Sequence, residues 1–122
     1  MPGKEDNMVE QIKQECIELF SSANIFNNCG TDLISKYKKL FKVPNVKKVL
    51  ENEELITTVR TFFDNNLNIS VASKEGFMHR NTLVYRLDKL QSMIGLDVRN
   101  FNEAVVFENL ILFYNMIKDS VY

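Results

Sequence analysis

A chain of 122 residues that is 45% hydrophobic and 25% charged carries enough apolar surface for one small core, which excludes disorder as its default state. Its two cysteines, Cys16 and Cys29, match neither a disulfide framework nor a zinc site, and fit a reducing cytoplasm as small buried side chains. The net charge of −1 hides a segregated pattern: residues 1–35 hold two lysines against six acids, residues 36–48 hold six lysines and no acid, and residues 49–122 hold seven basic against ten acidic side chains. Affinity for a polyanion depends on where the positive charge lies, so the total does not exclude DNA.

Helices are expected throughout, because no stretch sustains period-two alternation and the only proline after Pro2 is Pro44. Val9, Ile12, Cys16, Leu19 and Ala23 recur at spacings of three and four, predicting a first helix over 7–22. Two heptads do not make a coiled coil, so this stripe packs on the domain or on a second copy. Asn27 to Gly30 breaks the pattern, and Thr31-Asp32 opens a second helix with Leu33, Ile34, Tyr37, Leu40 and Phe41 on its apolar face. It stops before Pro44, since a residue preceding proline disfavours the helical region. A short turn is expected from Asn45 to Leu50, with Val46, Val49 and Leu50 as an apolar patch.

Glu53 or Glu54 opens the next helix, whose core stripe is Leu55, Ile56, Val59, Phe62 and Phe63. Asn65 to Asn68 ends it, since asparagine tolerates the left-handed backbone of helix ends. Ser70 then caps a helix of under two turns that ends near Glu75 or Gly76. The tight connection Phe77-Met78-His79 leads to a helix over about Arg80 to Met93, with Leu83, Leu87, Leu90 and Ile94 facing inward and Gly95 ending it. Residues 96–101 are expected to be extended. Asn102 caps a last helix to about Lys118 that is apolar nearly all round between Leu110 and Ile117, a pattern that calls for cover on both sides. The prediction is an all-α chain of about six helices: an N-terminal helical extension over 1–50 and a helix-turn-helix domain over 51–122.

A short helix, a tight turn and a longer amphipathic helix with a polar start form the helix-turn-helix pattern. The first helix braces on phosphates, while the second lies in the major groove, the groove wide enough and informative enough to be read. Exposed amides at the second helix's N-terminus favour phosphates. Arg80, Asn81, Val84 and Tyr85 fall away from the Leu83–Leu87 face, and Arg86 and Lys89 extend a basic edge. Arginine pairs well with guanine and asparagine with adenine, which makes Arg80 and Asn81 the candidates for base-edge contact.

The run HRNTLVYRL, followed by Gly95-Leu96-Asp97, resembles the C-terminal helix-turn-helix domain of the PucR and CdaR family of bacterial transcription regulators. A weaker similarity to the Fis-type domain points to the same geometry. The family resemblance begins near Leu55 and runs into the last helix. It implies double-stranded DNA as partner, a homodimer, and Arg80, Asn81, Thr82, Tyr85 and Arg86 as the DNA-facing set, with Ser70 and Lys74 near the backbone. The chain departs from the family at Val84, where arginine is common, and at Asp88 in a usually basic stretch. It departs also at Ser73, and at Gly76, which is expected to weaken the helix before the turn.

The blander readings stand beside these. His79 serves as a helix-start residue rather than a metal ligand, Tyr85 packs its ring or meets a phosphate, and the 36–48 lysines are a solvated face or touch the backbone. There is no nucleophile elbow and no phosphate-binding glycine loop, so no enzyme, cofactor or small-molecule effector is expected. The longest apolar run, Leu110 to Tyr114, is too short to span a membrane. A second class of function stays open: a helical interaction or dimerisation module that keeps the fold without reading DNA.

Overall fold

The computed structural model describes residues 38–118 together with Gln14 and Ser35. Apart from Gln14, the predicted first helix lies outside the described residues, as do both cysteines, Lys36 and Tyr37. Helices are the only regular elements among the described residues. Helical residues 38–41 precede five helices: α1 (Pro44–Glu51), α2 (Glu53–Asp64), α3 (Ile69–Glu75), α4 (Arg80–Ile94) and α5 (Phe101–Ile117).

The segment expected as a turn from Asn45 to Leu50 is helix α1. Val43 keeps an extended backbone (ψ 125°), as a residue before proline should, and Pro44 opens the helix instead of merely ending the previous one. With its fixed φ and its missing N–H, proline costs nothing in a first turn. Val46, Val49 and Leu50 then fall on one buried face.

Asparagines set the N-termini of α2, α3 and α5. The Asn52 side chain accepts from the Leu55 amide at 3.0 Å, so α2 starts with Glu53 and Glu54 in its first turn, where the helix dipole favours acids. The α2–α3 connection passes through two consecutive left-handed residues, Asn66 (φ 58°) and Leu67 (φ 59°). The cap of α3 is Asn68, not Ser70: Asn68 Oδ1 accepts from Val71 N at 3.0 Å, and Ser70 sits inside the first turn. Asn100, not Asn102, caps α5 by accepting from Glu103 N at 3.2 Å. In both cases the cap is two residues earlier than expected, because the flanking apolar residues (Ile69 and Phe101) already adopt helical backbone.

α4 lies centrally and packs against α1, α2 and α3. Leu83, Leu87, Leu90 and Ile94 are fully buried, as their spacing predicts. Gly95 (φ 81°) ends α4 in the left-handed region, its N–H bonded to Gln91 O at 2.8 Å. The following connection is held by a turn at residues 98–99 rather than running extended throughout, and it buries Leu96 and Val98. α1, on the N-terminal side of the predicted boundary at residue 50, contributes Val46, Val49 and Leu50 to the same core as Leu55 and Phe62. Asn45 Nδ2 donates to Met93 O at 3.1 Å and ties α1 to the far end of α4.

α5 closes the core with Ala104, Val106, Phe107, Leu110, Ile111, Tyr114 and Ile117. Tyr114 meets Phe41 edge-on at 5.5 Å between centroids, and Arg60 pairs with Glu108 at 2.7 Å. Phe101, Val105, Leu112 and Met116 stay exposed at spacings of four, seven and four, which places them on one outer stripe. None of the helices among the described residues is long and apolar enough to cross a membrane.

Candidate nucleic-acid interface

The turn between α3 and α4 is built by hydrogen bonds at the end of α3. Met78 N donates to Ser73 O at 3.0 Å and Phe77 N to Lys74 O at 3.1 Å, the paired bonds of a Schellman ending. That ending requires a left-handed residue, and Phe77 takes it, at φ 52°. A side chain in that region costs roughly 1–2 kcal/mol, which is why glycine usually holds the position. Here the glycine stands one residue earlier. Gly76 has φ −88° and is the C-cap of α3, so the interior-glycine penalty expected from the sequence does not apply. Its role is close approach: a Cβ there would lie 2.9 Å from Met78 Cε, 3.1 Å from Ala72 O and 3.3 Å from Thr61 Cγ2.

α4 begins at His79, whose Nδ1 accepts from the Asn81 amide at 3.0 Å, the helix-start role expected of it. Arg80 then reaches back across the turn: its Nη1 donates to Ser70 Oγ at 3.0 Å. This single bond joins two residues of the predicted set, one on each helix of the motif. Asn81, Tyr85 and Lys89 follow at spacings of four and are all exposed, Tyr85 at 65%. They lie on the side of α4 opposite its leucines. Lys74 is exposed on α3, and Thr82 is half-buried. Ser70, Lys74, Arg80, Asn81, Tyr85 and Lys89 are therefore all exposed, and the Arg80–Ser70 bond joins one of them on each helix.

Arg86 does not join them. It sits three residues after Leu83 and four before Leu90, so its side chain leaves the helix on the core side. Its Nη1 donates to Thr58 Oγ1 at 2.9 Å and its Nη2 lies 3.2 Å from Glu54 Oε1, both on α2. Thr58 is itself buried and donates to Glu54 O at 2.8 Å. Spacing alone carried this signal, since the face of Arg86 follows from the leucine period.

Asp88, the acid expected to disturb a basic surface, is held to one side. Its Oδ1 pairs with Arg99 Nη2 at 2.9 Å, while Arg99 Nε donates to Asp97 Oδ1 at 2.7 Å and Nη2 to Gln91 Oε1 at 3.2 Å. The bond to Asp97 is the main reason the Arg99 guanidinium holds its proton above its ordinary pKa; burial opposes it and Asp88 adds to it. The network thus offsets the charge of Asp88 and pins residues 97–99 to α4. Lys39, Lys42, Lys47 and Lys48 are exposed, and the Asn45–Met93 bond puts α1 at the C-terminal end of α4, remote from Arg80. Among the described residues no group of three metal-ligating side chains occurs.

Comparison with known proteins agrees with this geometry. Residues 55–109 match the family described as the PucR C-terminal helix-turn-helix domain. The carbohydrate diacid regulator of Escherichia coli (strain K12) is 37% identical over 60 residues, 48% of this chain and 16% of that protein. The purine catabolism regulatory protein of Bacillus subtilis (strain 168) is 30% identical over 54 residues, 44% and 10% of the two chains. The uncharacterized protein YsfB of the same bacterium is 35% identical over 68 residues, 56% and 18%. The matched segment spans less than a fifth of these relatives. No solved structure matches the chain significantly. With its capped α3, its tight turn and the HRNTL run opening α4, the segment 55–109 has the helix-turn-helix geometry of the PucR C-terminal domain whose family model it matches.

Proposed function

We propose that this domain binds double-stranded DNA and regulates transcription, with α4 in the major groove and α3 braced on the phosphate backbone. The observation that carries the reading is the Arg80–Ser70 hydrogen bond. It sets a guanidinium at the first turn of α4, beside exposed Asn81, Tyr85 and Lys89, where a helix of this motif meets base edges. In this reading Arg80 and Asn81 contact bases, Lys74, Ser70, Tyr85 and Lys89 contact phosphates, and Thr82 lines the groove. Arg86 acts through α2, as the residue that fixes how α4 projects. The regulators named above lend support through their shared domain, and the protein has no catalytic role in this account.

A homodimer is the assembly we propose, with the extension over 1–50 as packing or dimer surface and the outer stripe of α5 as the other candidate. Phe101 is 70% and Met116 73% exposed, an arrangement that a second copy would relieve. Two copies place two recognition helices in successive major grooves, about 34 Å apart, and require a pseudo-palindromic site. The same stripe favours a second reading, an interaction module that docks another protein. Fluorescence anisotropy of the whole chain against a randomised duplex library, at two salt concentrations, separates them. Salt-sensitive binding that enriches a two-fold symmetric site is expected; absence of binding at low salt would overturn the DNA reading.

A further inference from the structure

Phe77 stands out from its surroundings in two independent ways. It is 96% exposed, more than any other large hydrophobic side chain described, and it occupies the left-handed conformation that side chains avoid. Glycine in that place would be the easier solution for the Schellman turn, and the chain has a glycine one residue away that serves a different contact. Neither burial nor backbone preference accounts for a phenylalanine there. Its setting is polar: exposed Lys74 and Glu75 precede it, and exposed His79 and Arg80 follow. The outer stripe of α5 is an apolar neighbourhood, whereas this turn is the hinge between the two helices of the motif.

We propose that Phe77 is a specificity residue of the DNA-binding face, packing its ring against the 5-methyl group of a thymine at the edge of the major groove. The proposal rests on the DNA-binding reading above. In a stacked duplex the base faces are covered, and the apolar group displayed in the major groove is the thymine methyl, which side chains such as phenylalanine contact. The turn delivers the ring three residues before Arg80, so the methyl contact falls beside the bases read by Arg80 and Asn81. The left-handed backbone turns the side chain outward, where it has no intramolecular cover.

The test uses the whole chain and the duplex enriched from the library, with each thymine replaced singly by deoxyuridine, which lacks only the methyl. Wild type is expected to lose about fourfold in affinity at one position, the value of one buried methyl. F77G and F77N, whose new residues accept the left-handed backbone, are expected to bind more weakly and to be indifferent to that replacement. Their melting temperatures should equal or exceed that of wild type. A flat deoxyuridine scan for wild type would overturn the proposal, as would an undiminished penalty in F77G or a lowered melting temperature in both variants. Salt-sensitive duplex binding with a flat scan removes this contact alone; no duplex binding at all removes the DNA reading with it.

Discussion

Arg86 donates to the Oγ1 of buried Thr58 at 2.9 Å, so an arginine within α4 faces the neighbouring helix α2 instead of solvent. The pairing bridges 28 residues and ties α4 to α2.

Replacing that side chain should therefore damage the fold before it damages recognition. Arg86→Met keeps the aliphatic stem and removes the bond to Thr58, at an expected cost of about 1–2 kcal/mol. The ion pair with the largely exposed Glu54 adds little, since solvent screens it. Urea unfolding gives the cost. Arg86→Met with Thr58→Val should show a coupling energy in a double-mutant cycle, while Arg86→Met with Lys89→Ala should be additive.

Arg80→Ala should behave in the opposite way. Its only described bond is to the exposed Ser70, so thermal unfolding should change little, while specific DNA binding weakens by about 1–3 kcal/mol. Lys89→Ala should weaken binding to all sequences alike and reduce the salt slope by about one unit. Anisotropy titrations at several salt concentrations read both effects.

Val84→Arg should strengthen binding and steepen its salt dependence by about one phosphate contact. Val84 is half-buried next to the exposed face, and Asp88, four residues on, is already engaged by Arg99. A new arginine there keeps its charge available for a phosphate. The same titration, repeated in Arg99→Gln, should show a smaller gain, because Asp88 is then released to pair with the new side chain.

The two glycines at helix ends should differ. Gly95→Ala forces a side chain into φ 81° and should cost about 1–2 kcal/mol. Gly76→Ala keeps an allowed backbone and meets mainly the mobile end of Met78, so it should cost about 1 kcal/mol or less. Melting temperatures of the two variants should rank in that order.

The sequence carried these features unevenly. The leucine stripe of α4 was legible because burial repeats at the helical period, and the HRNTL run carried the motif with it. The caps shifted by two residues at Asn68 and Asn100, because several polar residues cluster at each start and the local backbone chooses among them. Helix α1 was hidden because Pro44 reads equally as a stop and as a start. Arg86 was assigned by its charge and its motif, although its place between Leu83 and Leu90 put it on the inner face. Phe77 left no sign: a left-handed phenylalanine is a property of the assembled turn, which nothing in its own side chain requires.

The bond between Asn45 and the Met93 carbonyl links positions 48 residues apart. During translation, at ~5–20 residues per second, the apolar face of α1 must wait several seconds for the helix that covers it. Val46, Val49 and Leu50 thus lack the cover of α4 until the chain has grown through residue 94, a local-to-distant order of assembly built into this core.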